Sequence, residues 1–143
     1  MILAMLVLLA GAMANGSSQA QGIETPARFA YLVDLSSGAV LMEKDANIPT
    51  APASMSKMMT VYMVLERLKA GTLSLDDTFP VSKKAWEKGG SKMFVKVDTR
   101  VRVEDLLRGI IIQSGNDACI VVAEGLAGSE VAFAAEMNTR ARE

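Results

Sequence analysis

Histidine is absent from these 143 residues, cysteine occurs once, and neither sign of charge dominates, with 15 Lys and Arg against 16 Asp and Glu. Each shortage excludes something. Without an imidazole, a Ser-His-Asp hydrolase, a Cys-His protease and the usual His-bearing zinc sites cannot be assembled within the chain, so hydrolytic chemistry needs another base. The lone Cys119 allows no internal disulfide. Balanced charge removes the electrostatic footprint of a nucleic-acid binder, and no nucleic-acid partner is expected. The sequence has no internal repeat and no low-complexity segment. Its length falls within the ~100–200 residues of a single domain, or of part of one.

What is present begins with an uncharged apolar run, Met1 to Ala14, that is shorter than the ~20 residues of a spanning helix. Small residues close it. Ala12-Met13-Ala14 and Ser18-Gln19-Ala20 both fit a small-x-small cleavage pattern, so residues 1–20 are expected to be a secretory signal peptide cut after Ala14 or after Ala20. An N-terminal membrane anchor is the alternative. Arg28 is the first basic residue, so the positive region that usually opens such a peptide is missing, which leaves room for a start upstream. Export would place Cys119 in an oxidising compartment, where its apolar surroundings read as those of a buried helical side chain.

Beyond Gly22, Phe29 to Asp34 and Ala39 to Met42 have strand composition, and Leu35-Ser-Ser-Gly38 between them reads as the turn of a β-hairpin. A helix is expected from about Ser54 until Gly71 closes it. Its apolar residues cover most of the circumference, as in a helix with neighbours on several sides. Thr72 to Lys92 reads as polar connection, a rim or lid, and Met93 to Val97 as a short strand. Helices are then expected over Val103 to Gln113, from about Asp117 to Leu126, and from Glu130 to Glu143.

Two short patterns could carry chemistry. Ser54-Met-Ser-Lys57 is the sole Ser-x-x-Lys in the chain, although composition alone would supply roughly 0.6 matches. Context adds weight: on the first turn of a helix, Ser54 would sit where free N–H groups favour developing negative charge, with Lys57 one turn on along the same face. A serine hydroxyl needs a base at neutral pH, and a lysine amine serves only where its surroundings favour the neutral form. The plain alternative is a capping serine followed by a surface lysine. Ser114-Gly-Asn116 lies between two expected helices, where Gly115 would let the backbone turn and aim a hydroxyl and an amide into a cleft. Here too simple helix capping is an alternative.

Taken together, in a chain without histidine, the two patterns resemble those of the serine penicillin-recognising enzymes. Pro52-Ala-Ser-Met-Ser-Lys-Met-Met-Thr60 and Gly109-Ile-Ile-Ile-Gln-Ser-Gly-Asn-Asp-Ala-Cys119 are similar to segments of the low-molecular-mass D-alanyl-D-alanine carboxypeptidases, and the resemblance runs from about Ile23 to Glu143. It implies a β-lactamase/DD-peptidase-like fold of mixed α/β (α+β) class, here its N-terminal hairpin and mainly helical subdomain.

The resemblance also implies roles. Ser54 would attack the carbonyl of a terminal D-Ala-D-Ala bond and form an acyl-enzyme, Lys57 would be its general base, Ser114 would relay a proton to the leaving amine, and Asn116 would bind the substrate amide. The Ser54 backbone N–H would donate into the oxyanion hole. Implied partners are a peptidoglycan stem peptide and β-lactams as acylating inhibitors, with neither metal nor cofactor. The implied location is the periplasm or the outer face of the cytoplasmic membrane.

The family's third motif, Lys-Thr-Gly or Lys-Ser-Gly after Ser-x-Asn, is not found. Lys69-Ala-Gly71 and Lys88-Gly-Gly90 precede Ser114 and lack the hydroxyl. Residues 23–143 are therefore expected to be the N-terminal part of a catalytic domain that stops before that motif, inactive by itself, with any membrane attachment left to a C-terminal region. A class A-like β-lactamase and an inactive wall-binding relative are the competing readings. Gly115 counts against the former, whose motif is Ser-Asp-Asn.

Overall fold

The computed structural model describes residues 24–143. The leader and both of its cleavage positions lie outside the described residues. The chain divides into two units, one ending at Thr50 and one running from Ala51 to Glu143.

In the first unit β1 (Ala30–Val33) pairs antiparallel with β2 (Val40–Lys44), Leu32 facing Met42, with a register irregularity between Leu32 and Val33. The turn is built by side chains as well as by glycine. Asp34 Oδ1 accepts from the Ser36 N–H at 2.8 Å and from its hydroxyl at 2.7 Å, bonds that hold the Asp34 carboxyl below its ordinary value. Gly38, at φ 72°, supplies the left-handed residue. The expected hairpin is therefore present.

The second unit is mainly helical. A 3₁₀ turn (Ala53–Met55) leads into α1 (Ser56–Lys69), followed by β3 (Thr78–Pro80), α2 (Lys83–Glu87), β4 (Arg100–Arg102), α3 (Val103–Gln113), α4 (Asn116–Ala127) and α5 (Glu130–Arg140). Strands β3 and β4 pair antiparallel, Phe79 opposite Val101. Side-chain caps begin two helices: the Ser82 hydroxyl accepts from the Ala85 N–H, and the Ser129 hydroxyl from the Ala132 N–H, both at 3.1 Å. Among the described residues no single helix is long and apolar enough to cross a membrane.

Helix α4 forms the centre. Ala118, Val121 and Val122 are fully buried, and Val64, Val103 and Leu106 reach them from α1 and α3. Each such valine or leucine contributes roughly 1.5–3 kcal/mol relative to exposure. Sequence pattern assigns the enclosed position to α1, but its Met58, Tyr62 and Leu65 remain 73%, 44% and 51% exposed. The small residues of α4 explain the difference, because they let neighbours approach closely. A β-carbon on Gly125 would lie 2.3 Å from the Phe79 ring.

Two other expectations need correction. The stretch expected to be plain connection contains β3 and α2, which form because Phe79 seats on Gly125 and Ala85 is wholly buried. Met93 to Val97 is not a strand. The Met93 and Val95 N–H groups donate to the two oxygens of the Asp117 carboxylate, at 3.0 and 3.1 Å, and Phe94 between them has φ 63°. A buried carboxylate has replaced a β-ladder as their partner.

Candidate functional site

Pro52 opens the turn that presents Ser54. The Met55 N–H donates to the Pro52 carbonyl at 3.1 Å, and Ala53 takes a left-handed φ of 49°, so Ser54 sits in the 3₁₀ turn just before α1 rather than in the α-helix itself. Tighter i→i+3 bonding at a helix start has this effect. Ser54 is exposed, and its hydroxyl makes no hydrogen bond to Lys57, Ser114 or Asn116. It does share a cavity of about 470 Å³ with Lys57 and Ser114, walled by Met58, Val61, Tyr62 and Ile111.

Lys57 occupies the next turn and points into the other half of the site. Its half-buried Nζ donates to the Ser114 carbonyl at 2.5 Å, the Ser114 hydroxyl at 2.9 Å and Asn116 Oδ1 at 2.6 Å. A carbonyl, a hydroxyl and a side-chain amide oxygen thus surround the nitrogen. The amine is thereby fixed between a hydroxyl and an amide that lie 57 and 59 positions away in the chain.

The Ser-Gly-Asn turn divides its demands between two residues. Ser114, not Gly115, takes the left-handed conformation (φ 54°, ψ 41°) and ends α3, while Gly115 has an ordinary φ of −62°. Space there is tight. A β-carbon on Gly115 would meet Asp117 Oδ1 at 3.1 Å, the Gly109 carbonyl at 3.2 Å and the Met93 nitrogen at 3.3 Å. Holding serine left-handed costs on the order of 1–3 kcal/mol, so the surroundings must impose it. The Lys57 bonds to Ser114 and the Gly115 N–H donating to Gly109 at 3.0 Å are part of that constraint.

Asp117 and the segment from Gly89 to Val95 are the parts that sequence reasoning missed. The Asn116 N–H donates to the Ser91 carbonyl at 2.7 Å, and Asn116 Nδ2 to the Gly89 carbonyl at 2.9 Å. Asp117, with no exposed surface, accepts from Met93, Val95 and Ala118 N–H groups, the last at 2.9 Å. A buried carboxylate is tolerated only with such bonds. The available signals were an acid at the head of an otherwise apolar helix and a Gly-Gly pair beside Ser91. Lys88-Gly-Gly90, unsuited to be the third motif, thus lies against the site in another role.

Cys119 follows on α4. Burial pushes its thiol up to about 11, so it is protonated at neutral pH and unsuited to nucleophilic work. Among the described residues no group of three or more Cys, Asp or Glu side chains is placed to hold a metal ion. Chemically, the arrangement offers an exposed hydroxyl, an amine one helical turn away and a second hydroxyl bonded to that amine.

The model of the D-alanyl-D-alanine carboxypeptidase family, peptidase family S11, matches residues 14–143. The chain belongs to that family. D-alanyl-D-alanine carboxypeptidase DacC of Escherichia coli is 44% identical over 131 residues, covering 85% of this chain and 33% of its own length. DacF of Bacillus subtilis is 39% identical over 117 residues, covering 82% and 30%. The crystal structure of DacD from Francisella tularensis superposes with a TM-score of 0.77 at 41% identity, over 85% of this chain and 29% of that one. Penicillin-binding protein D2 of Listeria monocytogenes, in its ampicillin-bound form, gives 0.70 at 26% identity, over 84% and 47%. The fold class is accordingly the α+β fold of these carboxypeptidases and penicillin-binding proteins. The chain spans about a third of the length of the curated relatives it matches.

Proposed function

We propose that the intact protein is an exported serine-type carboxypeptidase that removes the terminal D-alanine from peptidoglycan stem peptides through an acyl-enzyme on Ser54, and that penicillins acylate the same hydroxyl. The observation that carries this reading is Lys57 Nζ, bonded to Ser114 and Asn116 while lining one cavity with Ser54. In this mechanism the Ser54 oxygen bonds to the substrate carbonyl carbon as its proton passes to the Lys57 amine. The oxyanion forms against the Ser54 backbone N–H, a kind of donor whose loss typically costs ~2.7–4 kcal/mol of barrier. The C–N bond then breaks as the Ser114 hydroxyl gives its proton to the leaving amine and takes one back from Lys57, 2.9 Å away. Water hydrolyses the ester by the reverse proton path.

A β-lactamase would use the same first step, but the class A motif carries an aspartate where this chain has Gly115, and a β-carbon there would be tight against Asp117, Gly109 and Met93. The test is incubation of the intact gene product with labelled penicillin. A covalent adduct at Ser54 and D-alanine release from a pentapeptide are the expected results, and the absence of any adduct would sink the acyl-enzyme reading. Rapid penicillin turnover without D-alanine release would point to the β-lactamase. The 143-residue chain alone is expected to release no D-alanine, and a Lys-Thr-Gly followed by strand-like sequence is expected in the downstream reading frame.

A further inference from the structure

Asn116 grips the chain on both sides of a single glycine. Its backbone N–H reaches the Ser91 carbonyl and its side-chain amide reaches the Gly89 carbonyl, at 2.7 and 2.9 Å. Gly90 lies between these two acceptors with φ 81°, a conformation in which any L side chain is strained. Space is restricted as well, since a β-carbon there would stand 2.6 Å from Asn116 Nδ2. No atom pair of this kind tolerates such a separation, and Asn116 cannot retreat freely, because its Oδ1 is the 2.6 Å acceptor for Lys57. A push at Gly90 is therefore transmitted through one planar amide to the lysine.

We infer that Gly90 is a positioning residue for the site: its missing side chain sets where the Asn116 amide lies, and through Oδ1 where the Lys57 amine is held. Gly90 touches no reacting atom. The kinetic part of this inference rests on the proposed function, whereas the geometric part does not. Gly128, at the far end of α4, provides the matched comparison: its φ is 78°, but a β-carbon there would have no atom within 4 Å.

The experiment compares Gly90→Ala with Gly128→Ala in the intact gene product. Both should lose thermal stability, since each places alanine at a left-handed φ. Only Gly90→Ala should shift the side-chain amide signals of Asn116 in a spectrum of selectively ¹⁵N-asparagine-labelled protein, assigned by their loss in Asn116→Ala. Only Gly90→Ala should slow acylation by penicillin, by about 10–10²-fold, the scale of an ångström-sized misplacement of a catalytic group. Unmoved Asn116 signals, or an acylation rate within about twofold of the parent, would overturn the inference. If the parent forms no adduct, the proposed function falls and the amide signals alone decide the role of Gly90. Should Gly90→Ala fail to fold, the double variant with Asn116→Ser removes the struck amide. Against Asn116→Ser alone, an added Gly90→Ala that costs no more melting temperature than Gly128→Ala costs the parent supports the contact, and a larger cost overturns it.

Discussion

The two serines of the site are held in opposite ways. Ser54 sits exposed in a short 3₁₀ turn with its hydroxyl unbonded to the neighbouring polar groups, whereas Ser114 is pinned in a left-handed conformation with both its carbonyl and its hydroxyl on Lys57. Behind Ser114 the constraint continues, through Asn116 to Gly89 and Ser91 and through Asp117 to Met93 and Val95. In the proposed mechanism the difference would match the separate demands of an attacking group and of the groups that serve it. A nucleophile must remain free to approach a carbonyl, while a base and a relay gain from fixed geometry.

The sharpest way to break this comparison is to remove the free hydroxyl. Ser54→Ala should abolish the labelled-penicillin adduct, read by mass spectrometry, while leaving the thermal melting temperature nearly unchanged, because the side chain is exposed. An adduct retained in that variant would move the nucleophile elsewhere. Lys57→Ala strikes the fixed side and should lower the acylation rate by about 10²–10⁴-fold, the usual contribution of a positioned base. Asp117→Asn tests the support behind it. One amide oxygen cannot replace a carboxylate that accepts three N–H groups, so urea unfolding should show a loss of about 2–4 kcal/mol, and acylation should slow as the Ser-Gly-Asn turn loosens. The smallest effect is expected at Ala53, left-handed with φ 49° beside Ser54. Ala53→Gly relieves a backbone cost of about 1 kcal/mol and should stabilise the protein by that order while adduct formation persists.

Much of the helical framework was readable in advance. The apolar period and acidic first turn of Val103 to Gln113 place α3 at its observed limits, and Ser129 with Gly128 marks the boundary between α4 and α5. These are local signals, written within one or two helical turns. The failures share a cause. Met93 to Val97 has the composition of a strand, but its N–H groups found an acceptor 22 to 24 positions away, in Asp117. Phe79 and Ala85 looked like parts of a polar connection because their packing partners lie on α4. The left-handed conformation of Ser114 has no local signal either, because the Lys57 bonds that help to hold it come from across the fold.

By itself the sequence determined the chemistry available to this protein: with no histidine, a Ser-x-x-Lys and a Ser-x-Asn pattern are its candidate reactive groups, and local apolar spacing sets where its helices run. Tertiary structure alone decided that Lys57 meets Ser114 and Asn116, that the Asn116 amide fills the space a side chain at position 90 would need, and that Asp117 holds the loop beside them. The physical reason is range. Helix formation is set by neighbours three or four residues apart, whereas a hydrogen bond across 57 positions exists only after α1, α3 and α4 have packed.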